Sequence, residues 1–287
     1  MPIFLEIFIR GILNGGTYAL LGMGLSLIYG IMNVVNFAHG STLMLSMYVS
    51  FMLALYLSLN LPLIFLLSIP IFLVVGYAIY KFFISQILQA PEINQLLLTL
   101  GLAYILQGLC QIIWGADFLF YPIKGAATVI SFGNYRFDTV TVLNFVFSFF
   151  VIILLFLGLY KTKIGYMIRA TSQNKELGAI CGVNIRYIYL LSFLISTVLA
   201  ALAGVLFFPS YYVSPFVGTL LTLKAFIIVV LGGLGNVMGA LVAGLILGVA
   251  ESLASYYFGT RAELIASFLI FIVILTMRPS GLFGTDQ

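Results

Sequence analysis

The sequence predicts an all-α, polytopic integral membrane protein of about eight to ten transmembrane helices, some broken or re-entrant, with a short surface helix. Three observations carry this. The 287 residues are 63% hydrophobic and only 7% charged, too few charges to cover a soluble domain of that size. Apolar runs of roughly 20 residues, the length that crosses the hydrocarbon core, follow one another along the chain. Helices are the form those runs must take, because a lipid-exposed backbone has to satisfy its own hydrogen bonds and no alternating strand pattern of barrel type is present.

By hydropathy the spans are Ile7–Ile31, Ser41–Ser58, Pro62–Ser85, Gln95–Gly115, Val142–Tyr160, Tyr187–Phe208, Thr219–Leu231, Val237–Tyr257 and Ala262–Met277, a single transmembrane domain over 1–287. The first run is too long for the apolar core of a signal peptide, so it is expected to stay in the mature protein. The longest basic connection, residues 160–187, carries Lys161, Lys163, Arg169, Lys175 and Arg186 against Glu176, which places it in the cytoplasm. Counting from there puts the 116–141 connection outside, Lys81 at an inner boundary and Arg278 inside. The amino terminus lies outside if the first run is one crossing, and inside if the run breaks near Asn14-Gly15-Gly16. Within the outer connection, β-prone residues flank Gly133-Asn134, a hairpin signal. A soluble partner could meet that ribbon, or it could be a plain solvated loop.

Composition also excludes. The net charge of +4 comes from scattered Lys and Arg whose cluster lies between two spans, which the positive-inside bias explains without nucleic acid. Cys110 and Cys181 fall near opposite membrane faces, so a disulfide is not expected. No metal-ligand or cofactor pattern is present, and there is no G-x-x-x-x-G-K-[ST] stretch to hold a nucleotide.

The polar interruptions are the candidate sites. "NVVNFAHG" holds Asn33, Asn36, His39 and Gly40; if helical, its spacing of three would align the first three on one face. At membrane depth such a stripe lines a translocation path; at the interface it is an ordinary wet turn. His39, the one histidine, has no nucleophile or second catalytic group at hand, so an enzyme is not indicated. "GGLGNVMG" offers Gly232, Gly233, Gly235 and Asn236, either as tight helix packing or as a helix break lining the path. It echoes "YGIMNVVNFAHG", either as a repeat of the kind that builds transporters or as chance similarity between apolar segments. Lys224 and Glu251 interrupt neighbouring spans, and a lone central charge costs roughly 2.5 to 3.5 kcal/mol. Counted from the turn, their depths differ by about 10 Å, which favours snorkelling of each over pairing.

In the basic connection, "NKELGAICGVNI" predicts a short helix across the membrane surface. Its Glu176 followed six residues later by Gly182 resembles the coupling loop of ABC importer permeases. Leu177 and Gly178 stand where that pattern has two alanines, followed here by Ala179. Together with "GGTYALLGMGLSLIYGIMNVVNFAHGSTLMLSMYV", "LGLAYILQGL", "LLSFLISTVLAALAGVL" and "LKAFIIVVLGGLGNVMGALVAGLILGVAE", in this order, the chain from Gly15 to Gly281 is similar to the LivH-like branch of permeases. That branch serves importers of branched-chain amino acids, and a sibling branch serves urea and short amides.

The resemblance implies a permease that is half of an ATP-driven pathway in the bacterial inner membrane. It implies a second homologous permease, two cytoplasmic ATP-binding subunits and an extracytoplasmic binding protein as partners, with membrane lipid around them and no cofactor. Asn33, Asn36, His39, Gly40, Gly232, Gly233, Gly235 and Asn236 would line the substrate pathway; Glu176, Leu177, Gly178, Ala179 and Gly182 would take force from the ATPases. The rival is a transporter or channel that works alone.

Overall fold

Each apolar run is helical in the computed structural model, which describes residues 2–121, 129–132 and 135–284. The helices are α1 (Pro2–Met32), α2 (His39–Leu57), α3 (Leu61–Ile79, prolonged by a π turn at Tyr80–Ile84 and a last turn at Ser85–Ile87), α4 (Glu92–Trp114) and α5 (Thr139–Lys161). Two short helices follow, α6 (Lys163–Gln173) and α7 (Lys175–Ile180), then α8 (Ile185–Phe207), α9 (Val217–Gly232), α10 (Val237–Phe258) and α11 (Ala262–Met277). Among the described residues seven helices are long and apolar enough to cross a membrane. The remaining two apolar helices, α9 and α11, have 16 residues each, about 24 Å of rise. In the outer connection β1 (Val129–Phe132) pairs antiparallel with β2 (Tyr135–Asp138), Phe132 opposite Tyr135. The expected turn residues Gly133-Asn134 lie outside the described residues.

α1 runs unbroken through Asn14-Gly15-Gly16, so the first run is a single helix, of a length and composition that could cross a membrane once. The glycines there serve contact. Gly11, Gly15 and Ala19 repeat at four-residue intervals on α1, as Ala240, Gly244 and Gly248 do on α10, and the two antiparallel helices meet along these rows. A Cβ on Gly15 would fall 2.8 Å from the Leu245 Cα, and one on Gly244 would fall 2.6 Å from the Ala19 Cα. Small residues at this spacing let backbones touch in a solvent where burial of apolar surface gives helices no reason to associate.

The orientation of α1 defines two faces. Near its start Arg10 donates to the Arg136 carbonyl at 2.8 Å and lies 4.0 Å from Asp138. Its other end shares a cleft with Tyr160, Arg169 and Asn236. The amino terminus and hairpin therefore occupy one face. The basic connection, the α9–α10 turn and Phe283-Gly284 occupy the other, where Lys81, Lys175 and Arg186 also gather around one cavity. α1 and α8 are mostly buried, whereas α3, α4, α5 and α11 present apolar flanks such as Val74 and Ile112. Such a belt is stable only against lipid or another membrane subunit.

Candidate functional site

Three polar constructions stand out, and the first is the stretch between α1 and α2. α1 ends at Met32, and Asn33 takes a left-handed conformation, φ 52°, its N–H bonding the Tyr29 carbonyl at 2.9 Å. This is the helix-ending role asparagine fills more readily than other side-chain-bearing residues. Residues 33–36 are not helical, so Asn33, Asn36 and His39 do not share a helix face. Asn33 is exposed at the basic face, whereas Asn36 is 4% and His39 1% exposed. Asn36 turns its Oδ1 onto the Ala38 N–H at 3.0 Å, which prepares the first turn of α2.

The segment climbs into the membrane. The His39 Nε2 lies 3.0 Å from the Leu21 carbonyl of α1, three helical turns, or about 16 Å, from Met32. α2 thus begins near mid-depth. Irregular backbone survives at that depth only when protein satisfies it. Here the Thr99 hydroxyl of α4 is 3.1 Å from the Val35 carbonyl and shared with the Leu96 carbonyl of its own helix, and the Thr222 hydroxyl of α9 is 3.2 Å from the Phe37 carbonyl and 2.9 Å from that of Gly218. Gly40 lets this junction close: a Cβ there would lie 2.3 Å from the Thr222 Oγ1 and 2.4 Å from the Gly218 carbonyl. Thr99 and Thr222 look like stray hydroxyls in apolar runs, and no local signal in the sequence marks them.

The "GGLGN" residues are elsewhere. Gly232, Gly233, Gly235 and Asn236 form the α9–α10 turn at the basic face, with Gly233 and Gly235 at positive φ and Gly235 pressed against Gly30 near the end of α1. Asn236 caps α10 by accepting from the Gly239 N–H at 2.9 Å, and its Nδ2 donates to the Phe283 carbonyl. They pack as a tight turn and do not join Asn36, His39 and Gly40.

The second construction corrects the expectation for Lys224 and Glu251. They do not snorkel apart: Lys224 Nζ lies 2.8 Å from Glu251 Oε2, with side chains 10% and 5% exposed. Counting rise along straight rods omitted the lean of the side chains. Cα–Cβ bonds tilt toward a helix's amino end. α9 runs toward the basic face and α10 away from it, so Lys224 leans toward the hairpin face, Glu251 leans toward the basic face, and the gap closes from both sides. The Tyr18 hydroxyl donates to Glu251 at 2.6 Å and accepts from Lys224 at 2.9 Å, Tyr211 approaches Tyr18, and Ser267 shares its hydroxyl with the other Glu251 oxygen. α1, α9, α10 and α11 are tied by this cluster. It floors a cavity of about 550 Å³ that also involves Glu6, Arg10, Asn14 and Glu263.

The third construction is the surface helix in the basic connection. Asn174 caps α7 by accepting from the Glu176 and Leu177 N–H groups at 3.0 Å each. Gly182, at φ +85°, ends it in a left-handed turn that suits glycine. Gly178 faces inward toward Ile185 and Thr171, while Glu176 and Ala179 are exposed and Leu177 and Ile180 stand out at 60% and 81% exposure. α6 anchors it, with Arg169 held against the rings of Tyr160 and Tyr166 at 4.6 and 4.8 Å. Among the described residues no cluster of His, Cys, Asp and Glu could hold a metal ion.

The family described as branched-chain amino acid transport system, permease component, matches residues 7–277. The chain is 30% identical to the high-affinity branched-chain amino acid transport system permease protein LivH of Escherichia coli K12, over 99% of this chain and 96% of that protein. It is 29% identical to the corresponding permease BraD of Pseudomonas aeruginosa, over 99% and 97%. It is 31% identical to a probable branched-chain amino acid transport permease protein LivH of Methanocaldococcus jannaschii, over 96% and 91%. No solved structure matches.

Proposed function

Because this chain belongs to the family of branched-chain amino acid transport system permease components, we propose that it forms half of the membrane pathway of an ATP-driven importer for branched-chain amino acids. It works beside a second, homologous permease, two ATP-binding subunits on the basic face and a binding protein on the hairpin face. The basic face is cytoplasmic and the membrane is the bacterial inner membrane, as the distribution of Lys and Arg favours. The hydrolysis of ATP belongs to the partners.

The observation that carries this reading is the form of α7. A short helix closed by Asn174 and Gly182 presents Leu177 and Ile180, three residues apart, to solvent. Such a protruding apolar pair is what a socket on an ATPase would grip, with Glu176 and Ala179 at its rim and Gly178 seated on the permease. Through the Gly182 turn, a push on α7 is delivered to α8, which packs on α1, α2 and α3. The gate it moves is Asn36, His39 and Gly40, with Asn33 at the inner end of the climb. The turn of Gly232, Gly233, Gly235 and Asn236 forms the inner rim of the route.

Reconstitution with the second permease, both ATPases and the binding protein tests the assignment, using labelled leucine and urea in parallel. Leucine uptake that requires ATP supports it; urea uptake moves the chain to the sibling branch, and uptake by this chain alone under an ion gradient overturns the importer. In the assembled complex Leu177→Glu with Ile180→Glu should abolish uptake while the subunits' own ATP hydrolysis persists. Alanine at Asn36 and His39 that leaves uptake intact would remove those residues from the gate.

A further inference from the structure

We infer that the cavity where α3 meets the start of α8 on the basic face, together with the apolar cleft beside it, is a binding site for one anionic phospholipid. The inference goes beyond the transport reading and does not depend on which solute is carried. The cavity, about 900 Å³, is lined by Lys81, Lys175 and Arg186 and by no carboxylate. None of these three cations takes part in an ion pair among the described residues. Three unneutralised cations around one hollow at a membrane boundary complement a phosphodiester. Tyr77, Tyr80, Tyr187 and Tyr189 share the wall, the ring type that sits at the level of lipid headgroups. Lys81 is presented from the π turn at Tyr80–Ile84, a local widening of the helix that often marks a functional position.

The adjoining cleft supplies the hydrocarbon half. About 450 Å³ in volume, it runs between α3, α5, α6 and α8 and is lined, Thr162 apart, by apolar residues and glycines. Leu73 of the cleft and Tyr77 of the cavity are one turn apart on α3, as Leu191 of the cleft and Tyr187 of the cavity are on α8. Headgroup pocket and acyl cleft are therefore successive reaches of one groove. From Leu191 to Leu202 the cleft follows about 16 Å of α8 into the span. A soluble ATPase does not extend to that depth. Leu177 and Ile180, the surface assigned to the ATPase, do not line either hollow.

The test compares phosphatidylglycerol with phosphatidylcholine of the same acyl chains, measured by native mass spectrometry of the purified full chain. Phosphatidylglycerol should be retained selectively. Each charge removed should weaken its binding about fivefold, so K81Q/K175Q/R186Q should lose about a hundredfold while leaving phosphatidylcholine adducts and the melting temperature in phosphatidylcholine unchanged. Ile195→Trp, which fills the cleft, should lower retention with all three charges in place, and glycerol 1-phosphate should not displace the lipid at equal concentration. Equal retention of the two lipids overturns the site. So does a triple variant that keeps its phosphatidylglycerol but no longer co-purifies with the ATPases, which would make the cavity a protein contact.

Discussion

Lys224 and Glu251 provide the sharpest energetic test of the fold. Replacing Lys224 by Met leaves a carboxylate that is 5% exposed and still receives the Tyr18 and Ser267 hydroxyls. Replacing Glu251 by Leu leaves an ammonium group whose remaining partner is the Tyr18 hydroxyl. Breaking a buried pair from one side costs about 3 to 5 kcal/mol. The carboxylate, with two hydroxyl donors left, places K224M at about 3 kcal/mol, and the poorer company of the ammonium places E251L at about 5 kcal/mol. Removing both charges at once exchanges a desolvated pair for apolar contact, so K224M/E251L should lie within about 1 kcal/mol of the parent. The assay is reversible unfolding of the purified chain in mixed micelles, read as a double-mutant cycle. Additive losses, with the double variant down by about 8 kcal/mol, would refute the pairing. If the cluster is a strut tying four helices, the stable double variant also keeps leucine uptake in the assembled transporter.

Other consequences follow from single contacts. Gly15→Val drives a side chain into the Leu245 backbone and should cost about 2 kcal/mol or more by overpacking, whereas Gly101→Val, with nothing within 4 Å of its Cβ position, should fold like the parent in the same unfolding assay. Gly178→Ala should be tolerated or should stabilise α7 by up to about 1 kcal/mol, since the nearest atom to the new methyl is 3.7 Å away; Gly182→Ala, at φ +85°, should lose about 1 kcal/mol and reduce uptake. Cys181 is exposed on the basic face and Cys110 is buried, so a membrane-impermeant maleimide should modify one thiol, and only in inverted vesicles. Labelling of intact cells would reverse the assigned orientation.

The spans were legible because hydropathy acts locally over a whole crossing: each run from Ile7–Ile31 to Ala262–Met277 became a helix whose ends moved by a few residues at most places. The surface helix was legible from Glu176, Gly178, Ala179 and Gly182, although the Asn174 cap that opens it was not singled out. What failed was pairing at a distance. Gly15-Gly16 reads equally as a break or as a seam until Gly244 and Gly248, far along the chain, are set against it. Lys224 and Glu251 were misjudged because depth along a rod ignores which way each side chain leans. The mid-depth start of α2 could not be read from Asn36 and His39, because what holds the irregular backbone there is hydroxyls from α4 and α9.

The two interruptions that echo each other in the sequence end differently, and the difference favours the first as the proposed gate. Between α9 and α10 the chain reverses at once, Asn236 caps the next helix, and the tail residue Phe283 is tied to that cap. Between α1 and α2 the chain climbs about half the span, and the carbonyls of Val35 and Phe37 each face one threonine hydroxyl from a different helix, a hydroxyl shared in each case with a carbonyl of its own helix. A buried carbonyl that loses its donor costs about 1 to 3 kcal/mol unless another donor replaces it. A shift of α4 or α9 against α2 is therefore opposed while the segment is dry. It becomes inexpensive once water or the ammonium group of a solute stands ready to bond the freed carbonyls. On the proposed reading, the arrival of a polar solute is what would release the contacts at Thr99 and Thr222.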